Sequence, residues 1–173
     1  MTLAVKSLLM VAVLALAACN NPDRYGAGGA GGAGGPGSGI DTTGLGDPNN
    51  PTSIAYFNQR VGDRVLFAVD QSTLSPEART VLTAQAQWLL QNANYAAIIE
   101  GHADEQGTRE YNLALGARRA NAVQDFLISQ GVGPNRMRTV SYGKERPIEV
   151  CSDEACYSKN RRAVTVLSMG AGA

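Results

Sequence analysis

Residues 95–131 read "YAAIIEGHADEQGTREYNLALGARRANAVQDFLISQG", and this stretch decides the fold. Its opening, 95–103, is rich in apolar and β-forming residues with Ile98 and Ile99 at the centre, which predicts a strand. The polar run that follows has no periodicity and reads as a loop. Thr108 then stands where a side-chain oxygen caps a helix, and Gly131 supplies a terminator, so a helix is expected from Thr108 to about Gln130. At about 100° per residue, Gly116, Ala120, Val123 and Leu127 share one narrow arc of that helix. They form the stripe that faces a sheet, and the small residues among them permit close approach.

Outward from this unit, "DRVLFAV" at 63–69 predicts a first strand. Ser75-Pro76-Glu77 gives an N-cap, a proline at the first helical position and an acid in the first turn. The helix it opens runs to about Gln91, with Leu82, Trp88 and Leu89 as its apolar contacts. "MRTVSYG" at 137–143 and "RRAVTVL" at 161–167 are the third and fourth strands. The expectation is an α/β sandwich of βαβαβ-β order: one mixed four-stranded sheet with helices packed on one face. This domain is expected over residues 54–168, followed by a short tail, 169–173.

The N-terminal part has a different composition. "MTLAVKSLLMVAVLALAAC" at 1–19 carries one basic residue, Lys6, and an apolar stretch from Leu8 to Ala18 too short to span a bilayer as a mature helix. It reads as a signal peptide over 1–18. Its end, Leu16-Ala17-Ala18-Cys19, resembles the bacterial lipobox, which would make Cys19 the acylated first residue of the mature protein. More than one acyl chain gives stable attachment, at about 0.8 kcal/mol per buried CH₂, so the protein is expected to be anchored rather than spanning.

Residues 19–53 then form the expected linker, with "GAGGAGGAGGPGSG" at 26–39. Such a segment buries too little apolar surface to offset its ordering entropy and is expected to be a disordered, glycine-rich tether. A span of roughly 30 Å, stretching to about 100 Å, follows from its length. The formal G-x-G-x-x-G at Gly26, Gly28 and Gly31 is low complexity, because no strand precedes it and no helix follows.

The chain has 15 Lys and Arg against 15 Asp and Glu, a formal charge of zero. Its basic residues are spread out, so the composition gives no nucleic-acid footprint.

Charge becomes informative around the helix of Arg118 and Arg119. Arg118 lies nearly opposite the apolar stripe. Arg119 lies beside it, on the edge shared with Thr108, Asn112 and Leu115, which puts its stem on apolar surface and its guanidinium at the rim. Asp104 is expected in the loop at the same rim. Two readings stay open at this point. The pair is a surface ion pair worth at most about 1 kcal/mol, or the two charges stand apart and hold a zwitterion. In the second case Asp104 takes an ammonium and Arg119 a carboxylate, with Gly107 and the free N–H groups of the helix start as further donors.

The chain resembles the OmpA-like peptidoglycan-binding domains of Gram-negative bacteria through "EGHADEQGTREYNLALGARRANAV", "VSYGKERP" and "YSKNRRAV", which together cover most of residues 60–168. With the lipobox and tether it is similar to the lipoprotein branch of that family. The resemblance implies binding of the diaminopimelate side chain of peptidoglycan peptide stems, without cleavage. It places the ligand-binding acid on Asp104 and the arginine on Arg119, with further contacts at Asp70, Thr108 and Leu115. Gln106 is a departure, since many members have arginine there and this chain forgoes that charge beside the ligand carboxylate. The resemblance also implies a periplasmic β-propeller partner of the TolB type and, through it, the inner-membrane Tol complex. Outer-membrane anchoring facing the periplasm and a part in envelope constriction during cell division are implied as well; Asn20 after Cys19 resembles the outer-membrane sorting pattern.

The remaining reactive residues suggest no catalysis. His102 is the only histidine; with Asp104 it offers too few ligands for a closed zinc site, and a structural hydrogen bond is expected of it. No general base has a positioned reactant, so neither enzyme activity, a metal nor a cofactor is expected. Cys151 and Cys156 stand in an exported setting that favours pairing, provided a turn separates them; two free thiols are the alternative. Arg161 and Arg162 open the last strand and are expected to be solvated or paired, with no ligand role.

Overall fold

A computed structural model describes residues 45–170. The expected signal peptide, Cys19, the tether through residue 44 and the last three residues of the tail lie outside the described residues. The chain enters through α1 (Ile54–Tyr56), which Ser53 caps and which continues as a π-helical stretch, Phe57–Gly62. The other elements are β1 (Arg64–Leu66), α2 (Pro76–Gln91), β2 (Tyr95–His102) and α3 (Arg109–Ser129), then a 3₁₀ turn (Pro134–Arg136), β3 (Met137–Gly143), α4 (Glu154–Asn160) and β4 (Arg162–Met169). Ser75 Oγ accepts the Ala78 N–H and Thr108 Oγ1 accepts the Tyr111 N–H, so both long helices start where their caps predict.

The four strands form one sheet of order β1-β4-β2-β3. β2 and β3 are parallel, which requires a crossover, and α3 provides it. β4 is antiparallel to β1 on one side and to β2 on the other. Along β2 the residues Tyr95, Ala97 and Ile99 are buried while Ala96, Ile98 and Glu100 are half-buried, the alternation of a sheet covered on one face. The core joins Phe57, Leu82, Trp88, Leu89, Ile99, Ala120, Val123 and Leu127, among others. The α3 stripe therefore faces the sheet as the wheel places it. Its approach at Gly116 is close enough that an added Cβ would stand 2.8 Å from the Gly101 carbonyl oxygen, so a larger residue would push α3 off β2.

The expected domain boundary at residue 54 falls too late. Residues 45–53 are ordered against the domain: the Trp88 indole N–H donates to Pro51 O at 2.8 Å, the Tyr95 hydroxyl to Thr52 O at 2.8 Å, and Ser53 is fully buried. Composition misleads here because the order comes from donors on distant elements. Helix α4, where no element is expected, is the other addition; it is short and carries no apolar period.

Candidate functional site

The site lies where β2 ends and its chain turns into α3. The loop is fixed from several sides. Ala103 N–H donates to Gly143 O at 2.8 Å, Lys144 Nζ to Gly107 O at 2.7 Å, and Asn112 Nδ2 to Gln106 O at 2.7 Å. Fully buried Asn160 donates to Glu105 Oε1 at 2.8 Å and accepts the N–H groups of Ile148 and Glu149, joining this loop to the one before α4. Gly107 has φ +90°, the left-handed conformation that lets the chain reverse into α3.

Arg119 does not stand at the rim. Its side chain is 0 % exposed, and its guanidinium donates to three main-chain carbonyls: Gln71 O at 2.8 Å, His102 O at 2.7 Å and Ala68 O at 3.1 Å. Burial pushes its pKa down to about 10 against the opposing pull of Asp104. The expected exposed fork is corrected for a physical reason. The loop after β1 folds back over α3 with its carbonyls inward, and those acceptors need a donor of this reach. Asp70 sits in that loop with φ +56°, a left-handed conformation that aspartate tolerates better than most residues. Arg119 thus holds the segment that carries Asp70.

Asp104 finds a different arginine. Its Oδ2 pairs at 3.1 Å with Nη1 of Arg161, and both side chains are buried. Arg161 also donates to Phe67 O at 3.2 Å and to both carboxylate oxygens of Glu154, the first residue of α4. Hydrogen bonding to Glu154, ahead of that to Asp104, raises the Arg161 pKa above its ordinary value, and the same contact lowers that of Glu154. Arg161 is thus paired, one of the two states expected of it, but its partner is not legible in the sequence, since nothing near a strand end signals a carboxylate 57 residues away.

A cavity of about 240 Å³ opens at this end, walled by Asp70, Asp104, Gln106, Gly107 and Leu115 together with Val69 and Tyr111. Four sequence-derived site residues, Asp70, Asp104, Gln106 and Leu115, are therefore brought together. Thr108 is spent on capping α3, and Arg119 lies behind the wall. Tyr111 was not anticipated: its hydroxyl donates to Asp70 Oδ1 across the cavity mouth, and the Arg118 guanidinium stands 5.9 Å from its ring centroid. Its position one turn before Leu115 on the same helix edge was the available signal.

His102 departs from expectation. It is buried and stacked on Tyr142 at 5.5 Å, but neither ring nitrogen has a hydrogen-bond partner among the described residues; Glu100 at 3.6 Å is too far for one. Burial, then Arg162 and Arg146, push its pKa down to about 4, so it is neutral at pH 7. Arg162 is also buried and donates to Arg146 O at 3.1 Å. Cys151 and Cys156 are joined as a disulfide with Cα atoms 5.8 Å apart. The bond closes because Cys151 precedes the α4 cap, Asp153, and so is not on the helix. Asp153 and the two sulfurs lie together, but bonded sulfurs are no thiolate ligands for a metal.

The arrangement sets acids beside cations at a cavity wall, which is chemistry for binding a charged group. The OmpA family profile matches residues 66–161. A peptidoglycan-associated lipoprotein of Mesorhizobium japonicum is 51% identical over 165 residues, covering 95% of this chain and 92% of that protein. One of Agrobacterium fabrum is 52% identical over 167 residues, covering 95% and 88%. Among solved structures, the peptidoglycan-associated lipoprotein from Burkholderia pseudomallei superposes with a TM-score of 0.63 at 39% identity, over 70% of this chain and 100% of that one. The C-terminal domain of Helicobacter pylori MotB, at 23% identity and TM-score 0.59, over 63% of this chain and 86% of that one, shares the fold.

Proposed function

The chain belongs to the OmpA family, among its peptidoglycan-associated lipoproteins, and from that membership we propose that it is a non-catalytic lipoprotein of the outer membrane that binds peptidoglycan. The observation that carries the reading is the convergence of Asp70 and Asp104 on one small cavity floored by Leu115. Two carboxylates beside an apolar wall suit an ammonium on an aliphatic stem, as in the diaminopimelate side chain of a peptide stem. The carboxylate of the same side chain meets Gln106 and the N–H groups at Gly107 and the start of α3. Asp70, Asp104, Gln106 and Leu115 contact the ligand in this reading; Thr108 shapes the helix start and Arg119 positions the Asp70 loop.

The Tol system supplies the protein partner. Val69, Tyr111 and Leu113 are exposed apolar residues, the first two beside the cavity, and a TolB-like β-propeller would cover that rim in competition with the wall. Lipidated Cys19 and the tether that follows it, up to residue 44, hold the domain to the outer membrane, facing the periplasm, where the pair of attachments supports constriction at division.

The test is retention of the full-length lipoprotein, in detergent, on purified sacculi. Wild type is expected in the pellet and Asp104→Asn is expected to lose at least about tenfold in affinity, the scale of a charge-assisted hydrogen bond of about 1.5–3 kcal/mol. Equal retention of both would overturn the assignment of the cavity.

A further inference from the structure

The site end of the domain brings together three carboxylates, Asp70, Asp104 and Glu154, and two buried guanidiniums, Arg119 and Arg161. Within this group an Asp104–Arg161 pair alone would be neutral and would offer an ammonium little net attraction. Glu154 changes that balance. It engages both terminal nitrogens of Arg161, one of which it shares with Asp104: Nη1 lies 3.1 Å from Asp104 Oδ2 and 3.2 Å from Glu154 Oε2. The three side chains together carry one net negative charge, presented where Asp104 lines the cavity.

The geometry also fixes direction. Asp104 Oδ2 is taken by Arg161, while Oδ1 has the Gln106 N–H at 3.3 Å. Arg161 is itself anchored to Phe67 O and stays in place. Glu154 is the exposed member, with 65% of its side chain in solvent. It is the first residue of a seven-residue helix, a length with little stability of its own. The Cys151–Cys156 bond closes across that first turn, directly around Glu154.

We propose that Arg161 is a positioning residue for Asp104, and that Glu154, held in place by the Cys151–Cys156 bond, offsets the Arg161 charge so that the cavity selects ammonium ligands. This deepens the wall-binding reading and rests on it. Removing the Glu154 charge leaves a neutral Asp104–Arg161 pair at the cavity, with little net attraction for an ammonium; losing the disulfide lets Glu154 leave Arg161 and acts in the same direction.

The experiment is calorimetric titration of the oxidised full-length lipoprotein in detergent with two probes: a stem peptide with a free diaminopimelate ammonium, and the same peptide acetylated on that nitrogen. Glu154→Gln is expected to weaken the free peptide up to about fivefold, the scale of an exposed ion pair, and to leave the acetylated peptide unchanged. Glu154→Asp should restore part of the loss, and the Cys151→Ser, Cys156→Ser double variant should shift the free peptide in the same sense. Unchanged affinity in Glu154→Gln, or equal weakening of both probes, overturns the inference while wild-type binding upholds the function. Absence of binding by the wild type overturns the function and the inference with it. Glu154 is exposed, so its variant tests the idea even if the cysteine variant fails to fold.

Discussion

The two ends of the sheet solve the same problem differently. Where β2 begins, Arg136 makes four hydrogen bonds, all to main-chain carbonyls: Tyr95 twice, Leu89 and Asn92. Trp88 and Tyr95 reach back to Pro51 and Thr52 and close that end with the incoming chain. Where β2 leaves, Arg119 also meets carbonyls, but Arg161 meets carboxylates and two acids remain on a cavity wall. The hollow at the first end is the larger, about 420 Å³ against about 240 Å³, yet no charged side chain lines it. Charge left over after the main chain is satisfied, rather than volume, distinguishes the end proposed to bind the wall.

The comparison breaks most readily at Arg119. Arg119→Ala leaves three inward carbonyls without their donor and is expected to cost about 4 kcal/mol in urea unfolding, at about 1–3 kcal/mol for each unsatisfied group with partial relaxation. A loss under about 1 kcal/mol would mean that water replaces the guanidinium and that the site end is not built as described.

Acid is the next largest perturbation. The folded pKa of His102 is about 4, below its ordinary 6.5. The unfolded chain therefore binds the extra proton between these values, and the stabilising effect is fully present above pH 6.5 and lost as pH falls toward 4. The loss amounts to about 3 kcal/mol at most. Unfolding curves at pH 7, 5.5 and 4 should show this fall in wild type and a smaller one in His102→Gln; parallel curves would count against a neutral buried imidazole.

Arg136→Ala sharpens the comparison from the other end. It should lower stability by about 2 kcal/mol while sacculus binding by the folded fraction stays at the wild-type level. Matching losses in binding would mean that the two ends are coupled. The mildest change is Trp88→Phe, which removes the bond to Pro51 and should cost about 1 kcal/mol, read as a shift in urea midpoint with no effect on binding.

Much of this architecture is legible locally. Ser75 and Thr108 announce helix starts because a cap needs only the next three residues. The Gly116, Ala120, Val123 and Leu127 stripe follows from helical period alone, and all four are buried. Family likeness places Asp70, Asp104, Gln106, Thr108, Leu115 and Arg119 at one pocket; Asp70, Asp104, Gln106 and Leu115 line one cavity, while Thr108 caps α3 and Arg119 is buried behind the wall. The order of residues 45–53 was hidden because its donors lie 37 and 43 residues away. Arg119 was assigned to the correct helix edge but the wrong depth, since a wheel gives azimuth and says nothing about which loop will close over it.

By itself the sequence determined the periodicities, caps and terminators, and hence the strands, the long helices and the face each presents, because these depend on neighbours within one or two turns. Only the tertiary structure decided which guanidinium meets Asp104 and which meets carbonyls. That choice is made by buried groups that must find partners across 17 to 57 residues of chain, and no local pattern encodes a partner that far away.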